Sequence, residues 1–404
     1  MTNSLNNKGF LALNAGSSSL KFALYLAGQD TPIMVGLCER IGSGGAVKIK
    51  DVNGELLTLP EKCDLQNHGA AMQVVIDALE MHFPHVVVTA AGHRVVHGGD
   101  AYDRPVLITP EVLDKLKSFT KLAPLHQPHN LSGINAAMEY FPDIPQLACF
   151  DTAFHRTQEF VNQGFAIPYR FYEEGVLRYG FHGLSYDYIN SEIKRIAPEL
   201  HQGKVVVAHL GNGTSLCAIE GGKSKASTMG FSVLDGLPMG TRCGQIDPGV
   251  IFHLLETEGM SVAEVSHMLY YESGLLGLSG GLSNDMRTLG EAGTEAGDRA
   301  IDYFVNKVRS GIASMAATMQ GIDLLVFTAG IGENSALVRR KVCEGLAWLG
   351  VDFDDVSNTE GNGQRLISSE SSKLKVMVIP TDEEIVIVRA ARELVSLSST
   401  PDVA

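Results

Sequence analysis

The chain has 404 residues, 45% of them hydrophobic and 19% charged, which excludes a disordered protein and is too long for one ordinary core. Its 32 lysines and arginines face 46 aspartates and glutamates, a net charge of −14. That balance argues against nucleic-acid binding and requires any phosphate site to bring its own cations.

The opening, MTNSLNNKGF, is polar and has no signal-peptide core. No window approaches eighteen consecutive apolar residues, so no membrane span and a cytoplasmic location are expected. The first apolar run, FLAL, leads into NAGSSS and then LKFALYL. A plain hairpin needs only two turn residues. Asn14 to Ser19 instead offer backbone amides, three hydroxyls and a side-chain amide, with Lys21 behind them. That set suits phosphate oxygens and a cation, or equally a solvated serine-rich turn.

Further apolar runs follow: VVVTAAG, QLACF, VVVAHL, LLVFTAG and VMVIP. Helical spacing separates them, as from Pro110 to Phe119 and from Arg299 to Met319. Strands alternating with helices predict an α/β protein with partly parallel sheets. Asp151 ends the QLACF run, a place where carboxylates face ligands in such sheets. Half a chain after the opening turn, VVAHLGNGTSLCAIEGGK repeats its logic, with Ser215-Leu216 echoing Ser19-Leu20. Two lobes, each starting with a β-turn-β, are the expectation.

The Gly222-Lys223-Ser224 triplet lacks the earlier P-loop glycine, whose place is held by Cys217. A third glycine-rich turn, Gly330-Ile331-Gly332, follows the LLVFT strand, and Asn334-Ser335 are expected to cap the next helix. It has no third glycine and so no dinucleotide fingerprint. Cys38, Cys63, Cys149, Cys217, Cys243 and Cys343 have no ligand spacing and are read as small buried hydrophobes.

The blocks LNAGSSSLKF, GHRVVHGG, LAPLHQPHN, FDTAFH, RYGFHGLSY, HLGNGTSLCAI, GTRCG, ESGLLGLSGG, FTAGIGEN and IPTDEE run in order from residue 13 to 384. Together they strongly resemble the acetokinase family of short-chain carboxylate kinases, which includes acetate and propionate kinases. The resemblance implies a two-lobed α/β fold of the sugar kinase, heat-shock chaperone and actin type, with a nucleotide cleft between duplicated lobes. It implies a first lobe over 1–152 completed by a helix in 386–404, and a nucleotide-binding lobe over 153–385. The implied reaction is reversible, magnesium-dependent phosphoryl transfer from ATP to acetate, giving acetyl phosphate and ADP. Manganese is the substitute metal, and propionate the alternative acceptor. A homodimer formed through the second lobe is implied as well.

Matched residue by residue, Arg94, Arg242 and His182 would clamp the transferring group, as permanently charged planar forks and a ring donor can. Either arginine could instead sit in a surface ion pair, and His182 in the core. Asp151 matches the family's catalytic acid or base. A short carboxylic acid has a pKa of about 4 to 5 and arrives already ionised. Asp151 is therefore read as acting electrostatically. His126 would lie near the substrate, which Arg94 would also bind, and its spacing from His129 is read as accidental. Val96, Leu125, Phe181 and Val233 match the alkyl pocket. Asn14 and Glu383 match the metal positions, and Lys21 would face the nucleotide phosphates. His209, Leu210, Gly211, Asn212 and Gly213 would hold phosphates. Asp285, Met286 and Arg287 would meet adenosine, unless Asp285 and Arg287 form an exposed charge pair. Gly330, Ile331, Gly332, Glu333 and Asn334 would close over the nucleotide.

Gln127, Asp382, Gln245 and Val233 depart from the family's usual residues. Gln245 is expected to loosen Arg242, and Val233 to alter chain-length preference. The competing reading is a nucleotide-driven binding module without an acyl acceptor, or an inactive relative.

Overall fold

The computed structural model describes residues 7–59 and 65–398. Most of the polar opening and Cys63 lie outside the described residues. The chain divides into two compact units, Met1–Phe154 with Asp382–Ala404, and His155–Thr381.

In the first unit, β1 (Lys8–Ala15), β2 (Ser19–Leu26), β3 (Met34–Glu39) and β4 (Ala46–Asp51) form an antiparallel meander. On the other side of β1, β5 (Val87–Val95) and β7 (Gln146–Phe150) add in parallel, and the short β6 (Val106–Leu107) closes the edge. The second unit repeats the plan. Its meander is β8 (Lys204–Leu210), β9 (Thr214–Glu220) and β10 (Lys223–Ser227). Then β11 (Leu324–Thr328) and β13 (Lys375–Val378) extend β8 in parallel, with β12 (Arg365–Leu366) as the antiparallel edge. The orders β4-β3-β2-β1-β5-β7-β6 and β10-β9-β8-β11-β13-β12 differ only by the extra edge strand β4. The faint repeat in the sequence is thus a duplicated topology, and the chain has a two-unit α/β fold.

Strand composition follows position. Central β11, LLVFT, is buried at every residue, as parallel strands covered on both faces require. The helix Glu295–Met319 starts on the Thr294 cap, whose hydroxyl accepts from Gly297, and ends at Gln320 with φ of 58°. Its apolar stripe, including Phe304, Val308 and Ile312, fills the second unit's core against Val206, Leu216 and Phe327. In the first unit, Leu11, Leu13, Phe22 and Leu24 pack with Val75 and Ala78 of the helix His68–His82. Cys38, Cys149, Cys217 and Cys343 are buried as expected, whereas Cys243 is half-buried. No helix among the described residues is long and apolar enough to cross a membrane.

The chain re-enters the first unit at Asp382. The helix Glu383–Ser398 contacts β1 and β5. Gly92 leaves the space that Ile387 occupies, since a Cβ there would collide with that side chain. Asp382 accepts from the Ile385 amide, so this departure from the family pattern caps the helix. Glu383 therefore belongs to the first unit.

Candidate active site

Three parallel strand ends build the first constellation. Leu13 of β1 stands level with His93 of β5, and Val95 of β5 with Phe150 of β7. This register sets Asn14, Arg94 and Asp151 side by side at the carboxyl edge of the sheet, the usual ligand-facing edge of such folds. Arg94 donates from Nε to Asp151 Oδ1 at 2.9 Å and from Nη2 to Oδ2 at 2.6 Å. Its Nη1 donates to Asn14 Oδ1 at 3.3 Å. Glu383 Oε2 lies 4.0 Å from Arg94 Nε. Asp151 is buried, so its charge and that of Arg94 compensate one another away from water.

Lys21 faces Asn14 across the β1–β2 ladder, and its ammonium pairs with Glu384 at 2.6 Å. Asp382, Glu383, Glu384 and Asp151 thus meet two cations, Arg94 and Lys21. Burial raises the Glu383 carboxyl to about 7; Arg94 pulls it down, while Asp151 and Glu384 push it further up. The Glu383 carboxylate and the Asn14 amide oxygen, which keeps a spare lone pair, both border Arg94 and are hard-oxygen donors of the kind a hydrated divalent cation takes. No group of three His, Cys, Asp or Glu side chains suited to a metal occurs among the described residues. Two protein oxygens suffice for an ion that keeps most of its waters.

Asn130, from the helix Gln127–Tyr140, ties the strand ends together. It accepts from the Val96 amide at 2.9 Å and donates to the Ala15 carbonyl at 2.7 Å. Gln127 is fully buried and donates to the carbonyls of Leu116 and His97, so this departure is a structural tie. Val96 is buried, Leu125 is exposed, and His126 is half-buried at the helix start. His129 packs beside the ring of His68.

The second constellation surrounds the β8–β9 hairpin tip. His182 caps the helix Gly183–Ile196 in the left-handed region, φ of 59° and ψ of 26°, a strained position for any residue but glycine. Its Nδ1 lies 2.8 Å from Ser215 Oγ, and its ring stacks on His209 with centroids 4.1 Å apart. His209 is fixed through Nδ1 to Ser185 Oγ at 2.8 Å. A Cβ at Gly213 would stand 3.0 Å from both His182 Nε2 and Arg242 Nη2. Both donors therefore converge over the bare backbone of Gly213. Arg242 Nη1 donates to the Val233 carbonyl at 2.7 Å, and Phe181 is buried. The Gln245 backbone amide donates to the Gly236 carbonyl, and the carboxylate of Asp235 pairs with Arg178.

A cavity of about 500 Å³ in the same unit is lined by Gly211 and Asn212, by Asp285, Met286 and Arg287, and by Gly330, Ile331 and Asn334. Three segments far apart in sequence meet there. Two expected contributors also hold backbone amides. The Asp285 carboxylate accepts from the Thr288 amide at 2.8 Å, as the cap of the helix Met286–Ala292. Glu333 turns inward to accept from the Ala329 amide at 2.8 Å and the Thr381 amide at 3.2 Å. Leu210 is buried beneath the hairpin tip. Gly332 lies on the short helix Ala329–Asn334, and Ser335 alone caps the helix that follows. Ala329, at φ of 64°, makes the sharp exit from β11.

Several contributors escaped the sequence reading. Glu384 holds Lys21, Ser215 and Tyr186 back His182, and Arg339 is sunk in the core with its guanidinium on the Gly332 and Glu333 carbonyls. The Asp285 cap carried a readable signal, since an aspartate immediately before a helical stretch fits a helix start.

The sequence profile of the Acetokinase family matches residues 9–389. The acetate kinase of Methylocella silvestris is 51% identical over 390 residues, covering 94% of this chain and 96% of that protein. The crystal structure of Porphyromonas gingivalis acetate kinase superposes with a TM-score of 0.88 at 36% identity, over 96% of this chain and all of that one. A propionate kinase from Francisella tularensis gives a TM-score of 0.87 at 37% identity, over 95% of this chain and 98% of that one. With its duplicated sheets and both constellations in the matched blocks, the chain belongs to the acetokinase family.

Proposed function

We propose that this chain transfers the γ-phosphoryl group of ATP reversibly to acetate, giving acetyl phosphate and ADP. One carboxylate oxygen of acetate bonds to the γ-phosphorus as the bond to the bridging oxygen of ADP breaks; no proton moves. Acetate is ionised at neutral pH, so the step needs charge neutralisation and alignment rather than a base. The observation carrying this reading is the clasp of Arg94 by Asp151, which spends both carboxylate oxygens on orienting a guanidinium.

In this reading Arg94 binds the anionic acceptor through its remaining donor edge. His182 Nε2 and Arg242 Nη2, convergent over Gly213, donate to the equatorial oxygens where negative charge gathers. The cavity of Gly211, Arg287 and Gly330 takes the nucleoside part of ATP. Asn14 and Glu383 would hold magnesium, or manganese in its place, which when bound neutralises phosphate oxygens. The reading includes a homodimer working in the cytoplasm. A nucleotide-driven switch would have no use for the Arg94 clasp.

Propionate is the second reading, because one methylene in an apolar pocket is worth only about 1–3 kcal/mol. Hydroxylamine trapping with ATP, magnesium and acids of two to four carbons tests both. Acetohydroxamate as the leading product is expected. A larger kcat/KM with propionate would shift the assignment, and no hydroxamate from any acid would end the kinase reading.

A further inference from the structure

We infer that Ser215 and Tyr186 form a hydroxyl relay that fixes His182 in one neutral tautomer, with its hydrogen on Nε2 and facing the transferring group. Three observations carry this. Ser215 Oγ lies 2.8 Å from His182 Nδ1 and 2.5 Å from the Tyr186 hydroxyl, so a single serine oxygen joins the phenol to the ring. Ser215 is fully buried in β9, opposite His209 in the ladder, so its hydroxyl is held by a rigid strand. Tyr186 stands one helical turn after His182, its amide bonded to the His182 carbonyl at 3.0 Å, so the start of the helix fixes the spacing between the two residues that meet at Ser215.

The direction of the hydrogens follows from acidity. A phenol is a stronger acid than an aliphatic alcohol and is the better donor, and burial holds the Tyr186 phenol well above its usual range, so it keeps its hydrogen. Tyr186 therefore donates to Ser215 Oγ. Serine has one hydrogen, and with its oxygen accepting from Tyr186 it turns that hydrogen toward Nδ1. A neutral imidazole that accepts at Nδ1 carries its hydrogen at Nε2. That nitrogen is the one converging with Arg242 on Gly213. Ser215 and Tyr186 are positioning residues: they touch neither substrate nor metal in the proposed reaction, and they decide which ring nitrogen is the donor. The strained backbone at His182 serves the same end by aiming the ring from the helix cap.

This inference rests on the role proposed for His182, and its test separates the two. The full chain, labelled with nitrogen-15 histidine, is observed by long-range proton–nitrogen NMR, with the His182 signals identified as those missing from His182→Gln. The wild type is expected to show an unprotonated Nδ1 and a protonated Nε2. Ser215→Ala and Tyr186→Phe are expected to move His182 toward a mixture of tautomers. Both should lower kcat, by about tenfold or more for Ser215→Ala, with KM for ATP within about twofold. Tyr186→Phe removes one oxygen without altering packing and serves if Ser215→Ala does not fold. A wild-type ring protonated at Nδ1, or tautomer and kcat unchanged in Tyr186→Phe, would overturn the relay. Full activity in His182→Gln would instead remove the proposed role of His182, whatever its tautomer.

Discussion

Arg94 and Asp151 meet face to face: Nε and Nη2 of the guanidinium each take one carboxylate oxygen, at 2.9 and 2.6 Å. A bidentate pair of this kind fixes a plane as well as a position. It also commits one lone pair of each Asp151 oxygen to orienting the guanidinium. Asp151→Asn is therefore expected to lower kcat by about 10²- to 10³-fold, the usual cost of misplacing one preorganised charge-assisted donor. The loss should persist at raised pH and in the presence of external bases. Recovery under either condition would assign Asp151 to proton transfer instead.

Arg339 and Arg340 are chain neighbours with opposite fates. Arg340 pairs with Asp355 at the surface, whereas Arg339 is 1% exposed. Arg339 donates to the carbonyls of Gly332 and Glu333 and to both oxygens of Asn358. Burial, with a smaller contribution from Arg365, lowers its pKa to about 10, so it stays charged at neutral pH. It thereby satisfies the last carbonyls of the short helix that presents Gly330, Ile331 and Asn334 to the cavity. Lysine cannot reproduce this planar fork. Arg339→Lys is expected to destabilise the fold by about 2–4 kcal/mol in urea unfolding. KM for ATP should rise about tenfold while KM for acetate moves little. An unchanged KM for ATP would limit Arg339 to stability.

What the sequence made legible was local. Asn14 and Lys21 flank one turn and end up as cross-strand partners, and the same turn logic at Gly211–Gly213 marks the start of the second sheet. The long helix before Gln320 was readable from its apolar period. What stayed hidden depends on crossovers. Arg94 and Asp151 are 57 residues apart and meet because β5 and β7 are parallel neighbours, a register that no spacing encodes. Glu383 joins them only because its helix packs on β1 and β5. Nothing in the string RRK separates a buried arginine from an exposed one. The motif at Glu333 did not reveal that its carboxylate accepts from the backbone of its own turn and from the Thr381 amide.

His93, next to Arg94 in β5, gives the first unit a built-in acid sensitivity. The ring is 3% exposed, and its Nε2 lies 2.8 Å from Gln146 Oε1. Burial lowers its pKa from 6.5 to about 4, partly offset by the Gln146 contact. The unfolded chain thus takes up this proton before the folded one does. Stability from the neutral ring is complete above pH 6.5 and is lost as pH falls from there toward 4. At pH 4.5 the expected loss from this residue alone is about 2.5 kcal/mol. His93→Gln should therefore be less stable than the wild type at pH 7, and urea unfolding should show that gap shrinking by about this amount at pH 4.5. A gap that stays constant across the range would mean that the ring accepts its proton in the folded sheet without penalty.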